Sequence, residues 1–205
     1  MYSSSIKLNA VLWALSFILL SACSQNESKQ LSPVTNAQFE AFVNETGYVT
    51  DAEKYGWSIV QINVDDFITV ENANWRKPDG KTSISSSNLP VTQVSYNDAL
   101  AYCKWAKKRL PTYDEYWAVV ESDDRPIVSE NAPQILEIDQ VNVVGNVWDI
   151  TAVEDESRIN SVRLAGGSLF CSKTTCHGTV KERRLFVDKE TGNIHIGFSV
   201  IDAGN

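Results

Sequence analysis

The segment Gly166-Gly167-Ser168-Leu169-Phe170-Cys171-Ser172-Lys173-Thr174-Thr175-Cys176-His177 constrains this chain more than any other. Two cysteines five positions apart point to nearly opposite sides of a strand and share no face of a helix. Their sulfurs meet only where the backbone loops, and Gly166 and Gly167 give that loop conformational freedom on its entry side. Converging sulfurs either close a disulfide or, as thiolates, bind a soft metal ion such as Cu(I) or Zn(II). Spacing alone leaves both open; an exported chain leans toward the disulfide.

Export is what the other end of the sequence indicates. Lys7 precedes an apolar run from Ala10 to Leu20, and Leu20-Ser21-Ala22-Cys23 follows. The run is too short for a spanning helix and has the form of a signal peptide. Leu-Ser-Ala-Cys resembles the lipobox of bacterial lipoproteins, which makes Cys23 the expected lipidation site and new N-terminus. Ser24, not Asp, comes next, so the expected location is the periplasmic face of the outer membrane in a bacterial cell envelope. The expected organisation is a signal peptide over 1–22, a polar tether over 23–32 and one domain over 33–205. The chain has 18 Lys and Arg against 26 Asp and Glu, a formal net charge of −8. The leader contributes only Lys7, so the remainder is more acidic by one charge. Such a surface repels nucleic acid, and membrane contact is left to the lipid.

Within the domain, local signals place the helices. Thr35-Asn36-Ala37-Gln38 is a capping box ahead of Phe39, Phe42 and Val43, with Gly47 as its stop. Val49 to Lys54 reads as a short helix or turn, and Trp57 to Ile62 as a strand. Asn72 to Ser87 reads as a surface loop. Ser95 caps a second long helix that carries Cys103 on its apolar face, which makes Cys103 a core thiol. Thr112 to Glu115 opens a third, holding Tyr116, Trp117 and Val120. Strand-like pieces follow at Val143-Val144, Val147 to Val153, Ser161 to Leu164 and His195 to Ile201. Helices early and short strands late predict an α+β fold rich in loops.

Taken in order, several pieces resemble the formylglycine-generating enzyme, or sulfatase-modifying factor, family. They are Val34-Thr35-Asn36-Ala37-Gln38-Phe39, Thr46 to Ser58, Asn74-Trp75-Arg76-Lys77-Pro78-Asp79-Gly80, Pro90 to Ser95, Ala101 to Ala106, Lys108 to Thr112, Gly145-Asn146-Val147-Trp148-Asp149, Gly166-Gly167-Ser168 and Gly197-Phe198. The resemblance implies a single loop-rich domain with a C-type-lectin-like fold. By motif position it implies Cys171 and Cys176 as Cu(I) ligands, with Ser168 in the same catalytic pocket. Trp75 and Arg76 would lie near the substrate groove. It also implies a calcium site from the side chains of Asn142 and Asp149 and the carbonyls of Gly145 and Val147. An oxygen-rich bent loop suits that hard cation, and soft thiolates suit Cu(I).

This copy departs from the family pattern at several points. Asp149 replaces a usual Glu, Thr175 replaces an aromatic before the second cysteine, and Ser199 replaces an Arg after Gly-Phe. The stretch over 121–141 is also short. These changes thin the groove and leave the cysteines. The expected activity is a copper-dependent oxidase that converts a cysteine of a sulfatase-like protein substrate to formylglycine, acting as a monomer. The alternatives are a non-catalytic lectin-like binding module in which Cys171 and Cys176 form a disulfide, and oxidation of a small molecule.

Overall fold

The computed structural model describes residues 30–125, 127–128, 134–141, 143–154, 160–171, 180–182 and 184–203. Three helices begin where the capping boxes place them. Thr35 accepts from the Gln38 amide and caps α1 (Asn36–Thr46), and Gly47 ends it in the left-handed conformation, φ 67°. Thr50 and Glu53 box the short α2 (Asp51–Tyr55). Ser95 and Asp98 do the same for α3 (Tyr96–Ala106), and Thr112 and Glu115 for α4 (Tyr113–Val120). Each reciprocal pair satisfies two amides that a helix start leaves without partners.

The strands form three small sheets. β1 (Ser32–Pro33), β4 (Lys108–Arg109) and β9 (Ser199–Asp202) make one, in the order β1-β9-β4. β2 (Trp57–Gln61) and β3 (Phe67–Glu71) are an antiparallel hairpin. β5 (Trp148–Ile150), β6 (Ser161–Ala165), β7 (Leu185–Asp188) and β8 (Ile196–Gly197) form the third, in the order β7-β6-β5-β8. The β5–β8 pairing is parallel and the rest are antiparallel.

Two expectations need correcting. Ser32 pairs with Val200 and Leu31 is buried, so these two residues, expected in the tether, belong to the fold. Val143-Val144 is turn, not strand; the two residues pack beside Tyr116 and Ile201. Strands β1, β3, β4 and β7 lie outside the segments that read as strands.

The core joins the two halves of the chain. Phe39 is fully buried and its ring meets Phe42, Trp75, Tyr102 and Phe198 at centroid distances of 5.4, 5.3, 6.0 and 6.3 Å. Cys103 is buried in the same cluster, as its helical position predicts. Polar groups tie the helices together beneath it. Ser95 Oγ donates to Asp51 (2.7 Å), and Asp98 accepts from the Asp51 amide (3.1 Å) and from Tyr48 Oη (3.0 Å). Among the described residues no helix is long and apolar enough to cross a membrane.

Candidate functional site

The turn after β6 carries the candidate site. Gly166 and Gly167 both adopt the left-handed conformation, φ 84° and 78°. A Cβ on Gly166 would stand 2.2 Å from Tyr116 Oη, so both backbone angle and space require glycine there. The Gly166 carbonyl accepts from Gly145 N (2.9 Å), the Asn146 carbonyl from Leu169 N (3.2 Å), and the Ser168 carbonyl from Cys171 N (2.7 Å). These bonds fix Cys171 against the turn that precedes β5.

Cys171 is 5% exposed and is disulfide-bonded. Its partner lies outside the described residues, as do Cys23, Asn142 and Cys176. Cys171 lines a cavity of about 300 Å³ whose apolar wall includes Trp148, Leu164, Leu185, Val187 and Ile196. Phe67, from the β2–β3 hairpin, closes one side. Ser168, expected in the same pocket, is fully buried, and its Oγ has no hydrogen-bond partner. Its carbonyl holds the Cys171 amide.

A second cavity, of about 430 Å³, shares Phe170 with the first. Leu169, Phe170 and His195 form part of its wall, with Asn36, Ile84 and Pro78 opposite. The Phe170 and His195 rings meet edge to face at 4.5 Å. His195 is 6% exposed with Nδ1 buried and unpaired, and burial pushes its pKa down to about 4, so the ring is neutral at neutral pH. Sequence reading placed His195 only at the start of a strand. Its one available signal was an imidazole set between two isoleucines, which reads as ordinary alternation.

Trp75 belongs to the same buried core cluster as Cys171. Trp75 is 1% exposed, packed on Phe39, and Arg76 lies over its ring at 4.0 Å while pairing with Glu53 at 2.8 Å. Neither lines a cavity beside the cysteine.

The calcium expectation rests on the turn from Gly145 to Asp149. Gly145 is left-handed, φ 85°. Asp149 is fully enclosed and accepts from Ser199 Oγ at 2.6 Å. Burial raises its pKa to about 7 against that hydrogen bond. A cavity of about 10 Å³ touches Asp149, Val147 and Asn146, the size of a single water or ion. Asn146 does not face it freely, because its side chain bonds the Leu136 backbone at both ends (2.9 and 2.8 Å). Among the described residues no group of three or more His, Cys, Asp or Glu is arranged to hold a metal.

Residues 30–122 match the family described as sulfatase-modifying factor enzyme 1-like domain. The formylglycine-generating enzyme of Mus musculus is 46% identical over 101 residues, covering 40% of this chain and 27% of that protein. The formylglycine-generating enzyme of Mycobacterium tuberculosis is 26% identical over 253 aligned positions, covering 82% of this chain and 85% of the relative. Residues 30–122 make this chain similar to the sulfatase-modifying factor family. Not every similar protein is named as active: the inactive C-alpha-formylglycine-generating enzyme 2 of Bos taurus is 43% identical over 102 residues, covering 41% of this chain and 34% of that protein. The matches to the mouse and bovine proteins span about a quarter to a third of those relatives' length. Among solved structures, PvdO from Pseudomonas aeruginosa superposes with a TM-score of 0.60 at 13% identity, over 85% of this chain and 78% of that one. The family's C-type-lectin-like fold, mixed and loop-rich, is therefore the fold of this chain.

Proposed function

We propose that this chain is a copper-dependent oxidase that converts a cysteine of a protein substrate to formylglycine. The observation that carries the reading is Cys171, a buried sulfur opening onto an apolar cavity large enough for a substrate side chain. The disulfide offers no thiolate, so the donor set fits Cu(I) only after reduction, when Cys171 and Cys176 would hold the ion. Bound copper would supply activation of dioxygen toward a substrate thiolate. The chain's own share is enclosure and positioning. Trp148, Leu164 and Ile196 exclude water from the sulfur, and the Ser168 carbonyl holds the Cys171 amide in place. Replacing C–S by C=O removes two electrons from the substrate carbon, and reducing dioxygen to water takes four. A thiol reductant must therefore supply the remaining two, with sulfide leaving.

The test is turnover. Reduced chain, Cu(I), air, a thiol reductant and a cysteine peptide should yield an aldehyde that a hydrazide traps, and Cys171→Ser should abolish it. One observation favours a second reading: the disulfide at Cys171 suits a non-catalytic binding module in which it is a staple. There, no aldehyde forms and Cys171→Ser lowers stability by roughly 2–4 kcal/mol.

Calcium is proposed as a structural ion at the small cavity beside Asp149, which its size supports. A rise in unfolding temperature with calcium, lost in Asp149→Asn, is the expected result; no rise would remove the ion from the account. The lipid anchor at Cys23 and the outer-membrane location remain part of the proposal, on the sequence pattern alone.

A further inference from the structure

The β2–β3 hairpin has an unused edge. Its register pairs Trp57 with Glu71, Ile59 with Thr69 and Gln61 with Phe67. Bonds from Ile62 N to the Asp66 carbonyl and from Asn72 N to the Gly56 carbonyl extend the same ladder at its two ends. Antiparallel ladders alternate bonded and non-bonded pairs, so Ser58/Val70 and Val60/Ile68 are bonded. Ile59, Phe67, Thr69 and Glu71 therefore turn their N–H and C=O groups outward. On the β2 side this is confirmed and satisfied, because Ile59 bonds Gly192 and Ile194. At the far end of β3, Gly80 packs on the Glu71 carbonyl. Phe67 and Thr69 are exposed, and among the described residues no backbone partner meets them.

This edge adjoins the site. Phe67 is 54% exposed, yet lines the cavity that holds Cys171, on the same hairpin face as Gln61. On the opposite face Ile62 and Ile68 are 55% and 46% exposed. Acids flank the apolar edge: Asp65 and Asp66 at the tip and Glu71 at the far end. An exposed apolar strand edge is a template for another strand.

We propose that β3 receives an extended protein segment as an added strand, which presents its cysteine to the Cys171 cavity. The naming of that cysteine rests on the oxidase reading; the docking does not. Alternate side chains of the segment would face the cavity mouth at Phe67 and the Ile62–Ile68 face, which calls for apolar residues. The flanking acids call for Lys or Arg at its ends.

The test uses the full chain in its disulfide form and a labelled, end-capped heptapeptide probe, Lys-Thr-Val-Ser-Leu-Thr-Arg. Serine replaces cysteine so that no redox chemistry intervenes. Anisotropy should show saturable binding. Methylating the peptide amides that face β3 should weaken it about tenfold, as expected for loss of backbone bonds, while methylating the alternate amides should not. Thr69→Pro removes an outward N–H without touching the β2 ladder and should weaken binding similarly. Should that variant unfold, Phe67→Lys leaves the backbone intact and should repel the probe. Absent binding, equal effects of the two methylation sets, or dimers of this chain held by β3 would overturn the proposal. A clear alternation without Cu(I) binding by the reduced chain would instead sink the oxidase and leave the docking site standing.

Discussion

At the scale of single residues, the buried acids show most plainly how this fold uses charge. Asp98 is fully buried. Burial raises its pKa to about 6, with the Asp51 charge adding to the effect against the Ser95 and Asp51 amides that oppose it. Burial works on Asp51 too, but bonds from Ser95, Lys54 and Asn97 hold its pKa below the usual value. Because the folded-state pKa of Asp98 exceeds its unfolded value, the native state binds that proton more tightly. The associated stability is fully present below about pH 4 and is lost as pH rises through about 6. Asp98→Asn mimics the protonated form. Wild type should therefore lose on the order of 2–3 kcal/mol relative to Asp98→Asn between pH 4 and 7. Urea titrations of both proteins across that range measure it, and a difference independent of pH would show that Asp98 does not titrate as described. Comparison with the variant cancels His195 and Asp149, whose shifts run in opposite directions.

At the scale of elements, the capping boxes are not equivalent. Ser95 caps α3 and also donates to the buried Asp51, whereas Thr112 caps α4 through its own Glu115. Ser95→Ala should cost about 2 kcal/mol and Thr112→Ala about 1 kcal/mol. Equal losses by denaturant unfolding would deny Ser95 its second role. All four boxes lie within four-residue windows, and three of them were legible in the sequence, as were the stop at Gly47 and the core side of each long helix. The strands were legible only in part. β2 carries adjacent β-branched residues and β5 and β6 lie in apolar segments, but β3 follows a polar turn, β4 is two residues long, and β7 follows a loop. Their pairing is decided by distant partners, such as Ile201 for Arg109 and Val162 for Val187. The site divides the same way. Gly166 and Gly167 announced a loop at Cys171. The burial of Trp75 under Arg76 and the approach of Phe67 and His195 came from tertiary contacts that no short window contains.

At the scale of the whole molecule, the part of the chain that carries the family match is not the part that holds Cys171. Residues 30–122 carry the family match, including Phe39, Trp75 and Tyr102 of the core, while Cys171 lies beyond them. Those early residues build the wall against which β5, β6 and β8 pack, so the scaffold holds even where the later loops are short. The acidic balance of the chain favours partner segments with basic ends, in keeping with the acids beside β3. Whether the scaffold serves catalysis or only binding turns on the state of one sulfur. The decisive measurement is the Cu(I) affinity of the chain from Ser24 onward, after reduction, by competition against a strong chelator. The account predicts tight one-to-one binding that disappears in Cys171→Ser. Weak binding, with a disulfide that resists mild reductant, would contradict it and leave a stapled binding module.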